Sequence, residues 1–176
     1  MLNHFESYMN LVQKIDILSD KLSLIHNNNI LCCEKCCDCC INLSIFPVEF
    51  YAIKQQLISN NINLSEIFFD ANSSCGFLKK ALCQIYEFRP IICRTHGLPI
   101  VFYNEDLEEP EYSVSFCDKN FRNADLETFV FDEENTLNID EINGELYSLN
   151  LKFINDFKEI SYAPTDRIPL KQLLEI

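Results

Sequence analysis

A chain of 176 residues, 48% apolar and 23% charged, is long enough to bury a core of its own and does not need disulfides to stay folded. Its formal net charge of −13 repels a phosphate backbone, which argues against nucleic acid and an anionic membrane surface as partners. Only three glycines occur, Gly76, Gly97 and Gly144, far apart, so no phosphate-cradling loop of the G-x-G-x-x-G or G-x-x-x-x-G-K type can form.

The opening "MLNHFESYMN" lacks a basic segment followed by an apolar one, and no apolar run approaches the roughly 20 residues that span a bilayer. A cytoplasmic protein is expected, in a compartment that keeps thiols reduced. From Leu2 onward, Phe5, Met9, Val12, Ile15, Leu18, Leu22 and Ile25 recur at three- and four-residue steps, predicting an amphipathic helix over about 2–26. The Asn run "HNNN" ends it, because Asn favours turns over helix interiors. A second helix is expected in "SIFPVEFYAIKQQLIS", with Pro47 in its first turn and Phe46, Phe50, Ile53 and Leu57 buried. A short third helix in "LSEIFFDA" would take Ser65 as its N-cap. "LPIVFY" (98–103) and "YSVSF" (112–116), separated by the acidic "NEDLEEPE", predict a small hairpin. A last long helix over 140–158, capped by Asp140, would bury Ile142, Leu146, Leu149, Phe153, Phe157 and Ile160, with Gly144 costing it about 1 kcal/mol relative to Ala. "RIPLKQLLEI" adds a final turn or two. The expected fold is mostly α with a small β hairpin: one irregular domain over 1–176, organised around a cysteine-ligated metal site in residues 30–120.

That expectation rests on ten cysteines, which in a reducing compartment point to metal or redox chemistry. Six fall in "CCEKCCDCC" (32–40). Cys33, Cys36 and Cys39 read C-x-x-C-x-x-C, the beginning of a ferredoxin-type run, and its first half is also a zinc-knuckle spacing. Cys40 breaks both patterns, because neighbouring side chains diverge. It serves a second metal, or one thiolate of the pair bridges two metals, or one of the pair packs. Cys75, Cys83, Cys93 and Cys117 are dispersed and could complete the first site or make a second. Eight thiolates suit two Cys₄ sites, or one cluster plus a mononuclear site. Against this stand the buried hydrophobic role usual for a free cysteine and a thiol pair used for redox exchange.

"CEKCCDCC" followed by "CGFLKKALCQIYEFRPIICR" resembles the YkgJ family of cysteine-cluster proteins, described as zinc- or iron-chelating domains. The family pattern, C-x-x-C-G-x-C-C, then C-P-F-L, then C-x-I-Y-x-x-R-P-x-x-C-R, falls first on Cys33, Cys36, Cys39 and Cys40. Its second element falls on Cys75, Phe77 and Leu78, and its third on Cys83, Ile85, Tyr86, Arg89, Pro90, Cys93 and Arg94. Cys117 corresponds to a later cysteine of many members. Cys37 stands where the family has Gly, Gly76 replaces a Pro, and Cys32 is an extra thiol, which makes Cys32 and Cys37 the poorest ligand candidates. Related domains occur in flagellin lysine methylases associated with an iron–sulfur cluster.

Several thiolates around a divalent metal leave negative charge that burial makes costly. Arg89 and Arg94 are placed to compensate it, through hydrogen bonds to sulfur or to backbone carbonyls, the alternative being surface salt bridges with Glu87 or Glu49. Tyr86 could donate to a cluster but reads better as a core residue with its hydroxyl at the rim. His96, three residues after Cys93, has a spacing that allows joint ligation, and Glu49 could cap the second helix or bond Arg89. The expected function is a metal-binding protein, not an enzyme by itself. It would hold an iron–sulfur cluster (a 4Fe–4S centre among the forms considered) or zinc in a structural or electron-transfer role. The alternatives are a cluster-dependent protein-modifying enzyme or accessory subunit acting with a protein partner or substrate, and metal storage or trafficking.

Overall fold

The computed structural model describes residues 2–157 and 161–175. The apolar stripe at the start forms helix α1, Leu2–Ile25, burying Phe5, Tyr8, Leu11, Val12, Ile15 and Leu22. Ile25, expected in the stripe, is exposed instead. The chain turns there, with Ile30 N donating to His26 O at 2.8 Å, and the buried His26 ring bonds Asn135 O at 2.7 Å.

Helix α2, Pro47–Ser59, starts where Pro47 fixes φ and has no N–H to leave orphaned. Phe46, Phe50, Ile53 and Leu57 are buried as expected. The short segment after it is a single 3₁₀ turn, Leu64–Glu66, capped by Asn63, whose side chain accepts from Ser65 N at 3.2 Å. Asn63 thus takes the role expected of Ser65, because its longer acceptor reaches two residues ahead and closes an Asx turn. Helix α4 runs Ile139–Asp156. Asn138 caps it, accepting from Glu141 N at 3.2 Å, and its side-chain amide donates to the Glu141 carboxylate at 3.1 Å. Asp140, the expected cap, accepts from Tyr103 N at 2.7 Å and fastens α4 to the neighbouring strand. Ile142, Leu146 and Phe153 are buried; Ile160 lies outside the described residues.

Helices α1, α2 and α4 pack on one another in all three pairings. Each buried Leu, Ile or Phe contributes about 1.5–3 kcal/mol. Among the described buried side chains, Ser19 Oγ on α1 has no hydrogen-bond partner, whereas Asn150 is matched. Asn150 of α4, fully buried, accepts from Val48 N at 3.2 Å and donates to Pro164 O at 3.3 Å. Such pairing is what makes burial of an amide tolerable.

The β content exceeds the single expected hairpin. Strands β4 (Ile100–Asn104) and β5 (Glu111–Ser115) pair antiparallel, Phe102 opposite Ser113, and form that hairpin. A parallel strand β6, Leu137–Asn138, joins β4 on its other edge. Two further pairs are antiparallel: β1 (Ser44–Ile45) with β7 (Ile168–Pro169), and β2 (Leu78–Lys79) with β3 (Leu82–Cys83). Strands of two residues have no readable alternation, which is why these pairings escape sequence patterning. The tail follows β7 with a 3₁₀ turn, Leu170–Leu174, that buries Leu170 and Leu173. A five-residue helix α3, Ile91–Thr95, packs against α1. The cysteine loops therefore hang between α1 and α2 on one side, and β2, α3 and β5 on the other.

Candidate metal centre

The loop from Leu31 to Leu43 makes two successive reverse turns, Cys36 N donating to Cys33 O and Cys40 N to Cys37 O, each at 3.0 Å. Lys35 enters the left-handed region, φ 70°, an uncommon conformation for a residue with a Cβ. These turns fold six thiols into a short arc. All ten cysteines of the chain are free thiols.

Which thiols face which is visible in how they oppose one another's ionisation. Cys32 is raised by burial first, then by Cys117, Cys36 and Cys39, while the Asn120 side chain works the other way. Cys39 is raised by burial, then by Cys36 and Cys117, while its own backbone N–H and the Cys40 side chain work the other way. Cys40 is pushed up to about 12 by burial, then by Cys39, Cys75, Cys83 and Cys37. Cys93 reaches about 12 through burial, then Cys83, Cys75 and Cys40, with Arg89 opposing. Cys83 is raised by burial and then by Cys75, against Arg89 and the Ile85 N–H. Two adjoining sets emerge, Cys32, Cys36, Cys39 and Cys117, and Cys40, Cys75, Cys83 and Cys93, joined where Cys39 stands first among the thiols that raise Cys40. Cys32 and Cys33 are both exposed, and Cys33 is not among the foremost neighbours of either set.

One buried side chain assembles the first set. Asn120 accepts from Leu31 N at 2.8 Å, donates to Gly97 O at 2.6 Å, and its Nδ2 lies 3.7 Å from Cys32 Sγ. Its own N–H donates to Cys117 O at 2.8 Å. Asn120 thus clasps the cysteine loop, the 97 turn and the 117 turn. Gly97 sits at φ 88°, and a Cβ there would stand 3.1 Å from Cys32 Sγ and 3.6 Å from Cys117 Cβ. Both the dihedral and the close approach require glycine. Lys119 adds positive charge, its Nζ 3.9 Å from Cys36 Sγ and in an ion pair with Asp38. Sequence reasoning passes over Asn120 and Lys119, because their partners in the cysteine loop lie more than 80 positions away. Gly97, placed just after "CRTH", was the one available signal.

The second set is built from three pieces. Asn42, two residues past Cys40, accepts from Gly76 N at 2.9 Å and so ties Cys40 to the turn bearing Cys75. The β2–β3 hairpin brings Cys83 opposite Leu78. Its two turn residues, Lys80 and Ala81, both have positive φ, as a two-residue type I′ turn demands. Helix α3 carries Cys93, and its first N–H, Ile91 N, donates to the buried Glu49 carboxylate at 3.1 Å. Gly76, where a proline was expected from the resemblance, supplies an N–H that proline lacks. The Phe69 ring fills the space its Cβ would take, at 2.3 Å.

Arg89 lies beside this second set, stacked 3.5 Å from the Tyr86 ring centroid and donating to Tyr86 O at 2.8 Å and Cys93 O at 3.4 Å. Tyr86 is 55% exposed, not the core residue expected. Arg94 points away from sulfur. It grips both Asp16 oxygens at 2.8 Å and the carbonyls of Glu87 and Arg89 at 2.7 and 2.8 Å. Its partners are thus a helix α1 carboxylate and backbone, with neither Glu87 nor Glu49 side chains involved. Glu49 caps α2 by accepting from Phe46 N and also accepts from Tyr8 Oη at 3.2 Å, so Arg89 is not its partner. His96 Nδ1 donates to Ile92 O at 2.9 Å. It lines an open groove of about 770 Å³ with Cys39, Cys117, Lys119, Arg122 and Arg167.

The chemistry of the donor set fits a thiolate-bound metal: free thiols, gathered in fours from distant stretches, each set with a cation alongside. Among the described residues no three Cys, His, Asp or Glu side chains already close around one point, so gripping an ion takes side-chain rotation within each set. Residues 32–118 match the model of the CxxCxxCC family, described as "Putative zinc- or iron-chelating domain". The matched span holds all ten cysteines and ends two residues before Asn120. Neither the curated proteins nor the solved structures contain a match.

Proposed function

The chain belongs, through residues 32–118, to this CxxCxxCC family of YkgJ type, and on that premise we propose that its clustered thiolates hold iron, as an iron–sulfur cluster, or zinc, in a structural or electron-transfer role. The observation that carries this reading is the gathering of thiols from five separate stretches, with every one still free. Burial first, and the neighbouring thiols after it, oppose ionisation here and push Cys40 and Cys93 up to about 12. A divalent ion reverses that balance, since it binds the thiolate and displaces the proton. The bound metal would supply cross-linking of the loops or, as a cluster, a one-electron redox couple. We favour iron, because sulfur-only donors with N–H groups of Asn120 and Lys119 beside them are the features that tune cluster potentials.

Anaerobic purification with an absorption spectrum, metal analysis and acid-labile sulfide tests this. Brown protein with iron and sulfide supports a cluster, and colourless protein with stoichiometric zinc supports the zinc form. Protein that retains neither metal overturns the reading. The groove beside Cys39 and Cys117 favours one second reading, a cluster-dependent protein-modifying enzyme or its accessory subunit, like the flagellin lysine methylases of the resembled family. Its mark would be a partner protein or substrate whose binding perturbs the metal's absorption.

A further inference from the structure

We propose that the outer face of the β2–β3 hairpin, with the turn that follows it, docks an acidic protein partner. Lys79, Lys80 and Arg89 would meet its carboxylates, and Phe68, Leu82 and Tyr86 its apolar side chains. This goes beyond the metal-binding reading, since it concerns what the chain binds through a surface rather than what its thiols hold.

The hairpin register sets out the face. Leu78 stands opposite Cys83, and Lys79 opposite Leu82. Opposed residues share one side of a ladder and successive residues alternate. Cys83 packs on the core, which leaves Lys79 and Leu82 on the outer side, both exposed. Lys80 stands at the tip, held there by the two positive φ angles of the turn. Gln84 then clamps Phe68 beside the hairpin, accepting from Phe68 N at 3.1 Å and donating to Phe68 O at 2.7 Å. Phe68 is 61% and Leu82 42% exposed, two large apolar side chains held in water by a backbone that is itself fully bonded. Tyr86, also exposed, carries the Arg89 guanidinium against its ring. Aromatic rings and arginine are the groups that most often anchor a protein interface.

Charge selects the occupant. Residues 78–94 hold four of the 14 basic residues of the chain and one of its 27 acidic ones, Glu87. Among the described residues Lys79 and Lys80 form no ion pair, and Arg89 donates only to carbonyls. The acids at the border, Glu66 and Asp70, are bonded to the Asn63 side chain and to Asn72 N. A positive, partly apolar face on a chain of net charge −13 attracts an acidic surface at one place while the remainder repels it, which orients the encounter. An extended polyanion such as RNA or an anionic bilayer would also meet that acidic remainder, and a phosphate backbone offers nothing to Phe68 and Leu82.

The test is fluorescence anisotropy of a fluorescein-labelled peptide of glutamate and leucine, titrated with the full-length chain as purified. The wild type should bind it, more weakly as salt is raised. K79E/K80E should weaken binding about ten-fold or more through like-charge repulsion, and L82S about ten-fold through lost apolar burial. K152E/K171E reverses two exposed lysines elsewhere and changes net charge equally, so it should stay within about two-fold of the wild type. All the substituted side chains are exposed, and circular dichroism checks that each variant keeps the wild-type fold. No binding by the wild type, or equal weakening in K152E/K171E, would overturn the docking face. Tighter binding to phosphatidylserine vesicles or to oligouridine than to the peptide would overturn the choice of an acidic protein. So would self-association in sedimentation that K79E/K80E abolishes, which would make a second copy the occupant. Metal content read on the same samples keeps a failure of docking distinct from a failure of metal binding.

Discussion

Glu49→Gln isolates the cost of one buried charge at the point where α1, α2 and α3 meet. Glu49 is 3% exposed and accepts from Tyr8 Oη, Ile91 N and Phe46 N. Burial dominates and pushes its carboxyl from 4.5 up to about 7, although Ile91 N, Phe46 N, Tyr8 and the charge of Arg167 all pull the other way. In the unfolded chain the carboxyl ionises near 4.5, while in the folded chain it holds its proton to about 7. Between those values the native state binds more protons, so stability falls as pH rises and levels off above about 7. At about 1.4 kcal/mol per pH unit, the interval from 4.5 to about 7 amounts to about 3 kcal/mol. Gln keeps the accepting oxygen and does not titrate. Urea unfolding of both chains, in the same metal state, should show E49Q gaining about 3 kcal/mol on the wild type between pH 4.5 and pH 8. Titrations common to both chains, the thiols included, cancel in the difference. A difference that stays constant with pH would refute the reasoning, and a difference that shrinks would reverse its sign.

Asn120→Ala strips partners from Leu31 N and Gly97 O, and should cost about 2–4 kcal/mol in urea unfolding; an unchanged midpoint would deny the clasp. Gly76→Pro, which restores the residue of the resembled pattern, should destabilise by about 2–4 kcal/mol, because it removes the N–H bonded to Asn42 and meets the Phe69 ring. Gly144→Ala on α4 meets nothing within 4 Å and should stabilise by about 1 kcal/mol, read as a raised thermal midpoint. Chelation of the metal-loaded chain should speed amide hydrogen exchange in the β2–β3 hairpin and α3 well before it does so in α1 and α4; uniform exchange would mean that the thiol loops do not depend on metal.

The long helices were legible because each has several turns over which a 3.6-residue stripe can repeat, as Phe5, Val12, Ile15 and Leu22 do in α1. The caps were less so. Asn138 and Asn63 won over Asp140 and Ser65, a choice of one or two positions that depends on backbone dihedrals absent from the sequence. The thiol-rich loop was legible as a place of metal chemistry, but its sorting was not. Spacing favoured Cys33 over Cys32, whereas a side chain 88 residues downstream, Asn120, lies 3.7 Å from Cys32 Sγ. Arg94 makes the same point. Its motif suggested sulfur or backbone carbonyls; it takes the carbonyls of Glu87 and Arg89, and adds Asp16, 78 residues upstream, which no spacing announced.

The pairing of β1 with β7 sets an order of events during synthesis. Cys40, Cys75, Cys83 and Cys93 are all available once residue 93 has left the ribosome. The set containing Cys32 waits for Cys117 and the Asn120 clasp. The strand that leads out of the cysteine loop finds its partner only when Ile168–Pro169 arrives, with Leu170 N donating to Leu43 O at 2.8 Å. One set of thiols can thus be assembled on a growing chain, while the loop that feeds both is latched only once Ile168–Pro169 has been made.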